Sequence, residues 1–75
     1  MKIQTRANYR NESKIGSITV SKIIGNRPFE YILQLFENSS IKLSKNKFTT
    51  ISLAITHSCQ YGYLPNLWNI EEIEI

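Results

Sequence analysis

The fold predicted for this chain depends on residues 44–62, which read SKNKFTTISLAITHSCQYG. Apolar residues recur there at the spacing of one helical face, at Phe48, Ile51, Ile55 and Cys59. Ser44 stands where a helix is commonly capped at its start, and Gly62 stands where one commonly ends. These features predict a helix over about residues 45–60.

The same segment also has features of a strand. Ile51, Leu53 and Ile55 alternate with polar or small residues, and several of its residues are β-branched, which favours strands. Lys45 and Lys47 would lie in the first turn of the helix, where positive charge opposes the helix dipole. If residues 48–57 form a strand, the chain would instead be an all-β small barrel of the SH3-like type.

Residues 2–10 show the period of two that is typical of a half-buried strand. One side carries Ile3, Thr5, Ala7 and Tyr9, and the other carries Lys2, Gln4, Arg6, Asn8 and Arg10. A second strand is predicted over residues 15–24, with a bulge between Val20 and Ile23 where the alternation slips.

Gly25-Asn26-Arg27-Pro28 then predicts a turn. Further strands are predicted over residues 29–37, around 41–43, and over 68–75. The preferred fold class is therefore α+β, with a small antiparallel sheet of four to five strands and one packed helix in a single domain, residues 1–75.

Length and composition limit the classes of protein to which the chain can belong. Its 75 residues carry a net charge of +3, and 41% of them are hydrophobic, which is typical of a small folded domain. We expect no membrane span, because no stretch approaches about 18 uninterrupted apolar residues. We expect a cytoplasmic protein, because the start of the chain has no apolar signal segment. The abundance of Ile, Lys and Asn suggests a low-GC genome, such as that of a Gram-positive bacterium or its phage.

The sequence offers little for catalysis. His57 and Cys59 are the only histidine and cysteine, and on a helix they would point in different directions. We expect Cys59 to be a small core residue and His57 to lie at the surface. No phosphate-binding loop, dinucleotide motif or metal-ligand spacing is present. The chain is therefore predicted not to be an enzyme and to need no cofactor.

Charge is distributed unevenly along the chain. Residues 1–47 contain all nine basic residues and three glutamates, giving +6, whereas residues 48–75 contain three glutamates and no Lys or Arg, giving −3. Lys2, Arg6 and Arg10 recur on the polar side of the first strand, with Lys14 following them. Such a row would attract an acidic protein surface or the phosphates of a nucleic acid.

Two further features indicate contact surfaces. Tyr61 and Tyr63 flank Gly62, which cannot cover either ring, so at least one tyrosine is expected to be exposed as an anchor. Leu64, Leu67 and Trp68 are expected to close one end of the core. The third predicted strand is apolar on both sides, with Ile32 and Phe36 opposite Tyr31, Leu33 and Leu35. One helix cannot cover both faces. Either the sheet curls into a closed barrel, or Ile32 and Phe36 meet a partner or a second copy of the chain, which is the preferred interpretation.

The leading hypothesis is a non-enzymatic protein-binding module. It would be a small inhibitor or accessory protein, of the type that phages and mobile elements encode, that occludes a site on a larger protein or ribonucleoprotein. The first alternative is a small basic nucleic-acid-binding domain that uses the same basic row with Lys42. The second is a structural subunit of a larger complex, which would suit the SH3-like fold.

Overall fold

The computed structural model describes residues 3–25, 27–38 and 41–74. These residues form five β-strands, one α-helix and two short 3₁₀ turns. Along the chain they are β1 (Ile3–Asn11), β2 (Lys14–Ile24), β3 (Arg27–Glu37), β4 (Ile41–Phe48), α1 (Ile51–Ser58), the turns Cys59–Tyr61 and Pro65–Leu67, and β5 (Asn69–Glu74).

All five strands belong to one antiparallel sheet in the order β4-β3-β2-β1-β5. The last strand therefore pairs with the first, from Ile3 opposite Glu74 to Asn8 opposite Asn69. The sheet does not close into a barrel. The α+β prediction is confirmed, and the alternative prediction of an SH3-like barrel is wrong.

The helix begins later than the sequence predicted. Ser44, expected to cap it, lies within β4, and Lys45 and Lys47 pair with residues of β3. The capping residue is Thr50, whose hydroxyl oxygen accepts the backbone N–H of Leu53 at 3.2 Å. Strand pairing thus takes both lysines out of the first helical turn, where they would have opposed the helix dipole.

The bulge lies where the sequence predicted it, whereas the turn is shorter than predicted, because Arg27 and Pro28 already belong to β3. The register between β2 and β3 shifts between Val20 and Ile23, where the bulge was predicted. Gly25 has a φ of 60°, which glycine adopts without steric cost, and the next strand begins at Arg27. Asn26, in the same predicted turn, lies outside the described residues. Gly62, with a φ of 84°, ends the 3₁₀ turn that follows α1.

The core lies between one face of the sheet and the segment that runs from α1 to Trp68. Its buried hydrophobic members are Ala7, Tyr9, Ile18, Tyr31, Leu33, Leu35, Ala54, Tyr63 and Trp68. The ring of Tyr9 packs between those of Tyr63 and Trp68, at centroid distances of 4.6 and 5.2 Å. As predicted, the alternation of β1 places Tyr9 in the core and Arg6 and Arg10 outside it.

Closure of the core differs in detail from the prediction. Trp68 is buried as expected, but Leu64 and Leu67 are exposed. Cys59, expected in the core, is also exposed, because Ser58 occupies the buried position at the end of α1. The Ser58 hydroxyl donates to the carbonyl of Ile55 at 2.6 Å and accepts the indole N–H of Trp68 at 3.1 Å. This polar pairing makes burial of a serine tolerable.

Candidate interaction surface

The sheet has a second face, on the side away from the buried core, and we call it the open face. The strand register shows which residues belong to the open face, since residues directly opposite one another on neighbouring strands point to the same side. Among the described residues its members include Gln4, Arg6, Asn8 and Arg10 of β1, Ile15, Ser17, Thr19 and Lys22 of β2, Glu30, Ile32, Gln34 and Phe36 of β3, Lys45 and Lys47 of β4, and Asn69, Glu71 and Ile73 of β5.

Cations lie on both sides of the open face. Lys45 and Lys47 lie on edge strand β4, opposite Gln34 and Ile32 of β3, and both lysines are exposed. Arg10 is exposed on β1, which is separated from β4 by three strand spacings, or about 14 Å. The open face is therefore a strip of polar and apolar side chains between two groups of positive charge.

Arg6 lies on the same face but has an acidic neighbour. Its Nε donates to Oε2 of Glu71 on β5 at 3.3 Å, and each side chain is about half exposed, at 50% and 45%. Folding thus brings the acidic end of the sequence beside the basic first strand. Because exposed ion pairs contribute at most about 1 kcal/mol, Glu71 reduces the positive charge at Arg6 without fixing its position strongly.

Ile32 and Phe36 lie on the open face between the two groups of cations, and both are half-buried. This agrees with the predicted two-sided character of the third strand. Ile15, half-buried on β2, lies directly opposite Phe36 and extends the apolar part of the face. The described residues include no helix or turn that packs on this side, so these side chains are covered only by their neighbours in the sheet.

Tyr63 was predicted to be a candidate contact residue, and this prediction is wrong. Its side chain is only 1% exposed. Its hydroxyl lies 2.9 Å from the carbonyl oxygens of both Ile15 and Phe36 and can donate to either. Gly62, with a φ of 84°, lies beside the Lys14 side chain, and the residue after it enters the core. Tyr63 therefore fastens the loop to two strands.

Burial also changes the chemistry of this phenol. Desolvation raises the pKa of the Tyr63 hydroxyl above its usual value, and the hydrogen bond to the Phe36 carbonyl is a smaller influence. The ammonium of Lys14 lies 5.8 Å from the centroid of the ring. Lys14 thus belongs to the loop side of the sheet and is not part of the basic group on the open face.

Tyr61 is half-buried against the core, with its ring centroid 5.6 Å from that of His57. On its other side His57 approaches Phe48, at 5.2 Å. Nδ2 of Asn46 lies 2.8 Å from Nε2 of His57, which joins β4 to the helix. The predicted contact residues thus separate into two groups, with Arg6, Arg10, Ile32 and Phe36 on the open face and Lys14, Tyr61 and Tyr63 on the other side. Lys2 lies outside the described residues.

The pair considered for catalysis is engaged in local contacts. His57 contacts Asn46, as above, and the Cys59 thiol donates to the carbonyl of Ile55 at 3.5 Å. Residues 3–25, 27–38 and 41–74 contain no group of three His, Cys, Asp or Glu side chains that could hold a metal ion.

Sequence reasoning missed Lys45 and Lys47 as surface residues. They were assigned to the helix, although their spacing of two, with Phe48 on the opposite side, is also the pattern of a strand. The helical spacing that begins at Phe48 favoured a helix more strongly than the spacing of the two lysines favoured a strand. Only the pairing with β3 decides between the two.

The one α-helix of the described residues has eight residues and is not long and apolar enough to cross a membrane. Comparison of the chain with models of protein families, with curated proteins and with solved structures finds no match.

Proposed function

We propose that the chain is a non-enzymatic module that binds an acidic surface of a larger protein through its open face and so occludes that surface. One observation carries this proposal. Exposed cations, Arg10, Lys45 and Lys47, surround the half-buried apolar residues Ile32 and Phe36 on a sheet face that no other described element covers. A polar rim around an apolar centre is the usual anatomy of a protein interface.

The charge of the face determines the chemistry of its partner. Arg10, Lys45 and Lys47 have no carboxylate within 4 Å among the described residues, where the one ion pair joins Arg6 to Glu71. Such cations accelerate association with an acidic partner and select against basic ones. The apolar centre would then slow dissociation. Binding of this kind would suit an inhibitor or accessory protein of the type that phages and mobile elements encode, and the small size of the chain suits the same role.

The first step of the test is to co-purify the untagged chain from its native cell and identify the bound protein by mass spectrometry. Association and dissociation rates are then measured for the double variant Lys45→Glu/Lys47→Glu and for Phe36→Ala. We expect the charge variant to lower the association rate about tenfold and Phe36→Ala to raise the dissociation rate.

The matched control is Lys14→Glu, which reverses a charge on the loop side of the sheet, away from the open face. We expect it to change the association and dissociation rates much less than the double variant does, even after allowance for its smaller change in charge. If Lys14→Glu weakens binding as much per charge as the open-face variants, binding depends on overall charge and the proposed surface is wrong.

A small nucleic-acid-binding domain is the second candidate. The positions of the cations favour this candidate. Lys45 and Lys47 lie about 14 Å across the sheet from Arg10, so the open face could contact two rows of phosphates at once. The burial of Tyr9 and Tyr63 counts against it, since these rings are not exposed for base stacking.

A salt titration with short DNA and RNA distinguishes the two candidates. Nucleic-acid binding would show an affinity that falls linearly with salt on a double logarithmic plot, and Lys45→Gln would reduce the slope by about one. If the chain binds the co-purified protein and shows no salt-dependent binding to DNA or RNA, the result supports the protein-binding module.

A further inference from the structure

The outer edge of β1 is only partly covered by β5. The two strands pair no further than Asn8 opposite Asn69, whereas β1 continues to Asn11. Before Asn69 the chain turns away from β1, since the backbone N–H of Leu67 donates to the carbonyl of Leu64 at 3.1 Å within a 3₁₀ turn. In the described part of the chain, the last three residues of β1 therefore have a strand beside them on one side only, which is β2.

The backbone of Arg10 faces this uncovered side. The β1–β2 hairpin has a loop of two residues between Asn11 and Lys14, which form its closing pair. In a hairpin with such a loop the closing pair exchanges two hydrogen bonds, and the pair next to it exchanges none. Arg10 and Ile15 form that next pair. The N–H and C=O groups of Arg10 thus point away from β2, to the side where β5 is missing, and no backbone group of residues 64–69 bonds to them.

A groove of about 390 Å³ lies on this side of Arg10, between β1 and residues 66–69. This volume falls within the range of ligand sites in proteins. The guanidinium of Arg10 is exposed and has no carboxylate within 4 Å among the described residues. Asn66 and Asn69 line the groove and are exposed, and each amide offers donors and an acceptor, as a peptide group does. The groove therefore joins an open strand-pairing position to a cation and two amides.

An extended peptide segment matches these groups. A residue of the segment placed opposite Arg10 would accept the backbone N–H of Arg10 and donate its own N–H to the Arg10 carbonyl. Its side chain would lie on the same side of the sheet as that of Arg10, since residues directly opposite one another share a face. A glutamate or aspartate at this position would bring its carboxylate to the guanidinium. A small anion would satisfy the guanidinium and leave the backbone pair open.

We propose that this groove binds an extended acidic segment of the partner protein, with an acidic residue opposite Arg10. The proposal rests on the protein-binding function proposed above and identifies the part of the partner that is held. The segment adds to the sheet in line with β5, and about three of its residues fit beside the end of β1. Its main-chain hydrogen bonds supply affinity, and its carboxylate supplies the preference for an acidic sequence. Because Arg10 belongs to the open face, the segment leads the partner onto that face.

Titration of the isotopically labelled chain with capped tripeptides, followed by NMR, tests the proposal. The probe is acetyl-Val-Glu-Val-amide. We expect it to bind with a Kd of about 1 mM and to shift the backbone amide signal of Arg10 and the side-chain amide signals of Asn66 and Asn69. One matched control is the Val-Gln-Val peptide, which lacks the charge, and the other is the probe methylated on its glutamate nitrogen, which lacks the ladder N–H. Each control should bind about tenfold more weakly.

Arg10→Gln tests the contact between charges. It should weaken binding of the probe about tenfold and leave binding of the Val-Gln-Val peptide unchanged, so that the two peptides bind alike. Arg27→Gln is the matched control, because Arg27 is also exposed but lies on β3 and does not line the groove. This variant should distinguish the two peptides as the unmodified chain does. Well-dispersed amide signals establish that both variants are folded.

Three results would overturn the peptide groove. The first is the absence of a shift at Arg10 with the probe at about 10 mM, and the second is equal binding of the methylated probe. The third is an unchanged preference of Arg10→Gln for the charged peptide. Shifts confined to Lys45 and Lys47 would place the acidic peptide elsewhere on the open face and would equally overturn it. Because Phe36, Lys45 and Lys47 do not line the groove, this titration can fail while the rate measurements on the open face still support the protein-binding proposal.

Discussion

Trp68 lies directly over Gly16. A Cβ atom added at Gly16 would come within 2.6 Å of Cη2 of Trp68 and 3.2 Å of Cδ2 of Leu35. Both neighbours are buried, and Trp68 is also held by its hydrogen bond to Ser58, so neither has room to move away. The absence of a side chain at Gly16 is thus what allows the indole to close the core.

Gly16→Ala should therefore lower the free energy of unfolding by about 1–3 kcal/mol through overpacking. Urea unfolding followed by Trp68 fluorescence measures this as a lower midpoint with an unchanged slope. Ser17→Ala is the control, because Ser17 is the next residue and faces the opposite side of the sheet. A Gly16→Ala variant as stable as the unmodified chain would contradict the contact with Trp68.

Ser58→Ala should leave the buried indole N–H of Trp68 without a partner. An unsatisfied buried donor costs about 1–3 kcal/mol, so the urea midpoint should fall accordingly. Ser52→Ala, at an exposed position on the same helix, provides the comparison and should change the midpoint little. Equal midpoints for the two variants would show that the Trp68–Ser58 hydrogen bond contributes nothing to stability.

Alkaline pH should destabilise the chain through Tyr63. Burial raises the pKa of its hydroxyl, so the folded state keeps this proton at pH values where the unfolded chain, with a pKa of 10.0, begins to lose it. The folded state then binds more protons than the unfolded state, and the free energy of unfolding must fall as pH rises. This contribution is fully present below pH 10 and is lost above it.

Tyr63→Phe isolates the effect. It removes the hydroxyl that donates to the carbonyl of Ile15 or Phe36, so it should cost about 1 kcal/mol near neutral pH. Above pH 10 the variant should lose less stability than the unmodified chain, as followed by circular dichroism during chemical unfolding. Tyr61→Phe should retain the full alkaline loss. If Tyr63→Phe retains it as well, Tyr63 is not its source.

The ion pair between Arg6 and Glu71 should contribute little to stability. Both side chains are about half exposed, and pairs of this kind measure about 0.2–1 kcal/mol. A double-mutant cycle with Arg6→Gln and Glu71→Gln, read by urea unfolding at low and high salt, should give a coupling energy in that range that shrinks with salt. A larger coupling that resists salt would show that the pair is more rigid than its exposure implies.

Much of the fold could be predicted from local patterns. The alternation of β1 identifies a strand and assigns Tyr9 to its buried side, because successive side chains of a strand point to opposite faces. The same alternation in β3 places Leu33 with Tyr31 and Leu35 on one side, which is the side that faces the core. The bulge near Val20 was visible for the same reason, as a break in that period. The same alternation predicted that Arg10 and Phe36 lie on the side away from the core.

The errors arose where long-range contacts decide. Lys45 and Lys47 fit either a helix or a strand, and pairing with β3 selects the strand. Tyr63 looked exposed because of the glycine beside it, whereas its hydroxyl is fixed by carbonyls 27 and 48 positions away. The end of the β2–β3 hairpin that extends beyond the neighbouring strands, residues 22–25 and 27–30, was also missed, since strand periodicity does not show where the neighbouring strands end.

The pairing of β5 with β1 has a consequence for the order in which the protein folds. During synthesis β1 to β4 leave the ribosome first, but Tyr63, Trp68 and the strand that completes the sheet emerge only afterwards. Until they do, the aromatic pocket around Tyr9 stays open and the N-terminal strand lacks its outer neighbour. Contacts this distant in sequence make folding slower than in a helical protein of similar length. We therefore expect the nascent chain to expose apolar strand surface for a time, which makes it a substrate for chaperones.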